Sequence, residues 1–204
     1  MQPSEQGTPE AGGIPITVEE WASLPEDEPG EVVDGYLVEE EMPSYLHEMV
    51  VAWFVQLARN WGAPRGALVG GSGSKFRVGR SRGRMPDMTV FLRGASPPPP
   101  QGLIDVPPSI ALEVVSQTPQ DARRDRVEKL ADYASFGVKW YWILDPGLRT
   151  FEVFELGLDG RYAHALGATS ELVTAVPGCE GLQIDLSALW VEVDRLLASG
   201  SPER

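Results

Sequence analysis

Several features that define common protein classes are missing from this 204-residue sequence. It has one cysteine, Cys179, and two histidines, so it can form no internal disulfide and offers no zinc-ligand spacing. No apolar run approaches the roughly 20 residues that span a bilayer, and residues 1–13 lack the basic and apolar parts of a secretory signal. These absences favour a cytoplasmic protein without a membrane-spanning segment.

Two familiar catalytic signatures are absent as well. Residues 70–75 read GGSGSK, but a Walker-type phosphate loop needs a Gly-Lys pair followed directly by Ser or Thr. The chain also has no Gly-x-Ser-x-Gly nucleophile elbow. The glycines at 70–73 therefore predict a turn between two strands rather than a phosphate site.

Basic residues are absent from the first quarter of the chain, although charge is plentiful elsewhere. The 17 Lys and Arg residues and the 30 Asp and Glu residues give a net charge of −13. Residues 1–50, which we call the acidic head, hold 13 of the acids and no Lys or Arg. From Arg59 to Arg93, which we call the basic stripe, eight basic residues accompany one acid, Asp87. The total charge argues against a nucleic-acid partner, but its distribution places basic side chains beside Asp87.

The length and the 42% hydrophobic content predict one globular domain that can bury a sizeable core. Residues 1–16 are rich in Gly, Pro and Glu, so we expect them to form a disordered acidic tail. We expect a single domain over 17–197 and a flexible tail over 198–204.

The order of helix and strand signals predicts an α/β fold, with a mixed β-sheet flanked by helices and a β-hairpin extension. Strands over 110–115 and 139–144 are joined by a helix over 120–136, and such a crossover makes the two strands parallel. The other predicted elements are helices over 17–24, 44–61 and 186–197, hairpins over 31–38 and 151–166, and strands over 66–73, 74–78 and 88–92.

Two carboxylates lie where a metal could bind. Asp87 begins one predicted strand, and Glu113 lies inside the apolar strand 110–115, which reads IALEVV. A carboxylate buried in such a strand needs a cationic partner. An arginine is one candidate partner, and a divalent metal shared with Asp87 is the other, since Mg²⁺ commonly binds two carboxylates and waters.

The order of Pro86-Asp87, Glu113 and a following helix resembles the PD-(D/E)XK nuclease superfamily. More closely, the chain resembles the Uma-two-like family of restriction-endonuclease-like proteins, over about residues 30–156. The resemblance is carried by EVVDG at 31–35, Pro43 and His47, Pro86-Asp87, LEVVS at 112–116, DRVEKLADYA at 125–134 and GVKWYWILDP at 137–146.

This resemblance implies a metal-dependent endonuclease that hydrolyses phosphodiester bonds in DNA. By similarity, Asp87 and Glu113 would bind Mg²⁺ or Mn²⁺, which activates water. Val115 departs from the superfamily pattern, which has a lysine at this position, on the same side of the strand as Glu113. The resemblance places the family's lysine at Lys129, on the next helix, and Arg126 could also reach the site.

A solvated helix face is the alternative interpretation of Lys129 and Arg126, because charges of alternating sign along 121–132 can form local ion pairs. If Lys129 is catalytic, we expect Lys129→Gln to abolish cleavage and to leave the melting temperature nearly unchanged.

Two further groups of residues are candidates for weaker roles. His47 could contact phosphate or water and Glu48 could extend the metal shell, although packing and a helix-start acid explain them equally well. Four arginines before Asp87 could bind the nucleic-acid backbone, or could instead form a solubilising hairpin edge. These candidates for nucleic-acid binding are Arg77, Arg80, Arg82 and Arg84.

A second hypothesis is a catalytically inactive nuclease-fold module for nucleic-acid or protein interaction, and Val115 favours it. The resemblance implies a homodimer under the first hypothesis, because two DNA strands must be cut. The acidic head could also bind the basic stripe of a second copy, which would give a homodimer without nucleic acid.

Overall fold

The computed structural model describes residues 13–25, 30–38, 42–116 and 123–199. Most of the two predicted tails, 1–16 and 198–204, lies outside these ranges. So do residues 117–122, where the crossover helix is predicted to begin.

Helices are interspersed among runs of strands along the described residues. The helices are α1 (Val18–Ala22), α2 (Tyr45–Gly62), α3 (Leu130–Phe136) and α4 (Leu186–Ser199), with a 3-10 turn at Ala63–Arg65 and a π-helical segment at Arg124–Lys129 that leads into α3. The strands are β1 (Ile14–Pro15), β2 (Glu31–Val33), β3 (Tyr36–Val38), β4 (Leu68–Gly70), β5 (Phe76–Gly79), β6 (Arg82–Arg84), β7 (Met88–Phe91), β8 (Ile110–Val114), β9 (Trp140–Asp145), β10 (Thr150–Leu156), β11 (Tyr162–Ala168), β12 (Leu172–Val173) and β13 (Ile184–Asp185).

A six-stranded mixed sheet with the order β11-β10-β9-β8-β7-β4 forms the centre of the fold. Strands β8 and β9 are parallel, with Ile110 opposite Trp140, and the other neighbours are antiparallel. This arrangement confirms the predicted α/β class, the parallel crossover and the hairpin formed by β10 and β11.

A second sheet, with the order β1-β3-β2-β6-β5, lies beside the first. The predicted turn between β2 and β3 is confirmed, since Asp34 and Gly35 have φ values of 52° and 84°. Strand β6 was not predicted. Its central Gly83 allows the sheet to approach α1, because a Cβ there would lie 2.4 Å from the Trp21 ring.

The central strands β8 and β9 are buried on both faces, as their apolar sequences predict. Trp142 in β9 packs in one cluster with residues of α2 and α4. Its neighbours Tyr141 and Ile143 face the opposite cluster, together with Tyr133 of α3. Within the described residues, no helix combines the length and apolar character needed to cross a membrane.

Candidate active site

Asp87 lies directly before β7, at the point where the two sheets and α2 meet. Its Oδ2 accepts a hydrogen bond of 2.7 Å from the backbone N–H of Val114. Its Oδ1 lies 3.0 Å from Nε2 of His47, in the first turn of α2, where the Ser44 hydroxyl caps the helix. Because Val114 follows Glu113, these contacts hold the Asp87 carboxylate against the strand that carries Glu113.

Glu113 is 2% exposed and points from β8 toward α3. Its Oε2 accepts a hydrogen bond of 2.9 Å from Nζ of Lys129, and its Oε1 accepts one of 2.5 Å from the Tyr133 hydroxyl. Burial raises the pKa of Glu113 well above its usual range. The Lys129 ammonium opposes this rise, and the nearby carboxylates, Asp87 foremost, add to it. The cationic partner in this structure is therefore a lysine, not the arginine considered from the sequence.

Lys129 is 5% exposed, so the interpretation of this position as a solvated helix face is wrong. Besides the bond to Glu113, its Nζ lies 3.5 Å from Oδ1 of Asp125 and 3.7 Å from Oε1 of Glu31. Val115 packs in the apolar cluster on the same face of β8 as Glu113. The ammonium thus reaches Glu113 from the helix side, and its burial argues against the expectation that replacing it leaves the melting temperature unchanged.

Asp125 and Lys129, four positions apart in the π-helical segment, both face the sheet. Both side chains are buried, and Tyr133, one turn later in α3, is buried on the same side. The Tyr141 hydroxyl donates a hydrogen bond of 3.0 Å to the backbone carbonyl of Asp125 and anchors the segment. Burial is the main cause that raises the pKa of Asp125 to about 6. Such π-turns occur frequently at functional sites.

Glu31, the first residue of β2, belongs to this site although sequence reasoning did not select it. Its Oε1 accepts a hydrogen bond of 2.8 Å from the backbone N–H of Met85, and its Oε2 accepts one of 2.6 Å from Arg84. Burial would raise the pKa of Glu31, but Lys129 and Arg84 outweigh it and hold the pKa at about 2. In the sequence, Glu31 stood out only as part of a predicted hairpin and of the EVVDG stretch that carries the family resemblance.

Arg84 has no exposed surface, so the prediction that it binds a nucleic-acid backbone is wrong. In addition to Glu31, it donates from Nε and Nη2 to Oδ2 of Asp132 in α3, at 2.8 and 2.6 Å. A buried guanidinium satisfied by two carboxylates joins β2 and β6 to α3.

Two of the other candidate arginines also bind acids of the same chain. Arg82 donates to Asp34 and to Asp132, and Arg77 donates to Asp105 and Glu19. The acidic head therefore lies on the basic stripe within one chain, at Glu19, Glu31 and Asp34, and these acids are already paired without a second copy. Arg80 is exposed at the turn between β5 and β6.

The structure does not bring Arg126 to the site. Its guanidinium lies 3.3 Å from Asp145 and 3.0 Å from Glu152, and so links the π-helical segment to β9 and β10. Glu48 is exposed on α2. The pKa of His47 is raised overall. Burial acts to lower it, but the hydrogen bond to Asp87, the charge of Asp87 and a contribution from Glu48 together have the larger effect.

The comparisons with known proteins bear on this arrangement. The profile of the family described as "Uma2: Putative restriction endonuclease" matches residues 17–187. The chain belongs to the Uma2 family. The crystal structure of a "putative nuclease belonging to DUF820" from Anabaena variabilis has a TM-score of 0.68 and 21% identity, and the match covers 87% of this chain and 98% of that chain. This likeness confirms the predicted restriction-endonuclease-like fold, and no curated protein matches the chain.

The donor chemistry of the Uma2 site fits a divalent cation. Asp87 and Glu113 offer carboxylate oxygens, which Mg²⁺ and Mn²⁺ prefer. Burial is the main cause of the raised pKa of Glu113, and the nearby carboxylates of Asp87, Asp125 and Glu31 add to it with negative charge that a cation would offset. Within the described residues, no group of three or more His, Cys, Asp or Glu side chains is arranged to hold a metal. A cation bound here would be held by two carboxylates and waters, as in many Mg²⁺ sites.

Proposed function

We propose that this Uma2 protein is a divalent-metal-dependent endonuclease that hydrolyses phosphodiester bonds in DNA. The observation that carries the proposal is that Asp87 accepts a hydrogen bond from the amide of Val114, next to Glu113, while the Lys129 ammonium lies 2.9 Å from Oε2 of Glu113. Asp87 and Glu113 would hold Mg²⁺ or Mn²⁺, which supplies a Lewis acid and an activated water when bound.

The chain's own side chains contribute orientation and charge. The Lys129 ammonium can donate hydrogen bonds to an attacking water and to a phosphate oxygen, where it offsets the charge that develops in the transition state. The Tyr133 hydroxyl fixes the rotation of Glu113, and the Val114 amide fixes that of Asp87. Lys129 would thereby take the role that Val115 cannot fill.

Nicking of supercoiled plasmid DNA in Mg²⁺ or Mn²⁺ tests this function. We expect the wild type to nick the plasmid only with metal, and Asp87→Asn to lose at least about 100-fold in rate, a typical cost of removing one electrostatic group from an active site. Asn keeps an acceptor for the Val114 amide, so the variant should remain folded. The control is Asp194→Asn, which changes an exposed carboxylate on α4 that pairs with Arg149. This variant should keep full activity.

A wild type that cleaves neither DNA nor RNA across several divalent metals would contradict the proposal. Val115, which places no charge beside Glu113, would then favour the inactive nuclease-fold module. Light scattering on the same samples tests the predicted homodimer, which would contain two copies of this site.

We further propose that Arg77, Arg80 and Arg82 form the DNA-facing part of the basic stripe. Strand β6 and the turn before it run away from the site at about 3.3 Å per residue, with Arg82 and then Arg80 on the way. The exposed carboxylates of Glu19 and Asp34 cover two of these arginines, and a DNA phosphate would have to displace them.

Removing those two covering charges should therefore strengthen DNA binding. We expect Glu19→Gln combined with Asp34→Asn to raise affinity by about 2- to 5-fold at low salt, with the gain vanishing at high salt. Asn suits the positive φ of position 34. Fluorescence anisotropy of a labelled duplex measures the change, and Asp159→Asn, in the exposed turn after β10, is the control. An unchanged or weaker affinity would contradict a role for the stripe.

A further inference from the structure

Among the described residues, Glu113 is the carboxylate nearest to the Lys129 ammonium, and the proposed function gives Glu113 a second task. The Lys129–Glu113 contact is 2.9 Å long. If Glu113 shares its negative charge with a cation, the nearly buried ammonium loses part of this partner, and a buried charge without a counterion is costly. A second carboxylate that stays in place would keep the ammonium where it is.

Asp125 is poorly suited to that task although its Oδ1 lies 3.5 Å from Nζ of Lys129. Both residues belong to the same π-helical segment, four positions apart, so they move together. A partner that fixes the ammonium relative to the sheets has to come from another element.

Glu31 meets this requirement. It comes from β2 in the second sheet, and both of its carboxylate oxygens are held, one by the Met85 amide and the other by Arg84. Its Oε1 lies 3.7 Å from Nζ of Lys129. The side chain is 1% exposed, so solvent does not compete for these contacts. Glu31 cannot turn away without breaking its hydrogen bonds from Arg84 and the Met85 amide, and neither partner belongs to the proposed metal site.

We propose that Glu31, clamped by Arg84 and the Met85 amide, is the positioning residue that holds the Lys129 ammonium over Glu113. Its kinetic consequence rests on the proposed nuclease function. Its structural content, an energetic coupling between Glu31 and Lys129, can be measured without DNA.

Asp132 provides a matched control for this inference. It is the other carboxylate that binds Arg84, and it is buried like Glu31. Neutralising Asp132 therefore also removes one carboxylate partner of the Arg84 guanidinium. Within the described residues, however, no ion pair joins Asp132 to Lys129. Glu31→Gln and Asp132→Asn each neutralise one carboxylate of Arg84, the second also neutralises a partner of Arg82, and only the first removes a contact of the ammonium.

The kinetic experiment compares these two variants under conditions in which circular dichroism shows both to be folded. We expect Glu31→Gln to lower kcat by about 100-fold, the cost of a misplacement near 1 Å, with KM for DNA within about 3-fold of the wild type. Asp132→Asn should keep kcat within about 3-fold. A full kcat in Glu31→Gln, or an equal loss in both variants, would overturn the positioning role. If Glu31→Gln does not fold, Glu31→Asp replaces it, because its shorter chain keeps the charge but misplaces it.

The second experiment is a double-mutant cycle on melting temperature with Glu31→Gln, Lys129→Gln and the double variant. We expect the double variant to lose clearly less than the sum of the single losses, and the corresponding cycle of Asp132→Asn with Lys129→Gln to be nearly additive. Additive losses in the first cycle would overturn the proposal whatever the cleavage assay shows. A wild type that cleaves nothing would end the nuclease proposal alone, since the cycle still decides whether Glu31 holds Lys129.

Discussion

Lys129→Gln should abolish metal-dependent DNA cleavage and also lower the melting temperature substantially. The substitution removes the ammonium that contacts Glu113, Asp125 and Glu31 and leaves these buried carboxylates without it. Breaking a buried ion pair costs about 3–5 kcal/mol, which for a chain of this size lowers the melting temperature by roughly 6–20 °C. Plasmid nicking and thermal unfolding followed by circular dichroism measure the two effects.

Lys139→Gln is the matched control for that experiment. Lys139 also forms an ion pair of 2.9 Å, with Glu155, but both side chains are more than two-fifths exposed. Exposed pairs contribute about 0–1 kcal/mol, so this variant should keep its melting temperature within a few degrees and its full activity. A melting temperature of Lys129→Gln as high as that of Lys139→Gln would contradict the buried cluster, and retained cleavage would contradict the catalytic assignment.

Arg84→Met should be the most destabilising single change in the second sheet. Methionine fills much of the arginine's volume but leaves Glu31 and Asp132 buried without the guanidinium that pairs with both. The expected loss is about 3–5 kcal/mol, measured by urea unfolding. Arg149→Met, which disrupts an exposed pair with Asp194, should change stability by no more than about 1 kcal/mol.

A triple variant separates the loss of charge pairing from the loss of packing. Adding Glu31→Gln and Asp132→Asn to Arg84→Met removes the two orphaned charges. This triple variant should be more stable than Arg84→Met alone, because neutral groups cost less to bury than unpaired charges. A triple variant that is less stable than Arg84→Met would show that packing dominates.

The central sheet and its helices could be predicted because their signals are local. Local sequence specifies the buried strand at 110–115, the turn at Asp34-Gly35 and the helix start capped by Ser44. Strand β6 was missed because Arg82-Gly-Arg84 shows neither apolar alternation nor β-branched residues. It is a strand because β5 and β2 pair with it from either side.

The candidate site was predicted only in part, because its ion pairs join distant parts of the chain. Arg84 and Glu31 are 53 residues apart, and a single sequence does not show which acid of the acidic head a given arginine will meet. Arg84 therefore looked like one more surface arginine of the basic stripe. Lys129 was selected from the family resemblance, but its burial follows from tertiary contacts that alternating charges along a helix do not reveal.

The site depends on the number of residues in the π-helical segment at Arg124–Lys129 and not only on their identity. Adding or removing one residue within it, with the winding otherwise unchanged, would rotate everything before it by roughly 100° relative to α3. Asp125 would then leave the cluster, while Tyr133 would stay on Glu113. Insertions and deletions at this point are therefore expected to be far more damaging than in the exposed turn at 157–161, and Uma2 proteins that share this site should keep a constant spacing between Asp125 and Tyr133.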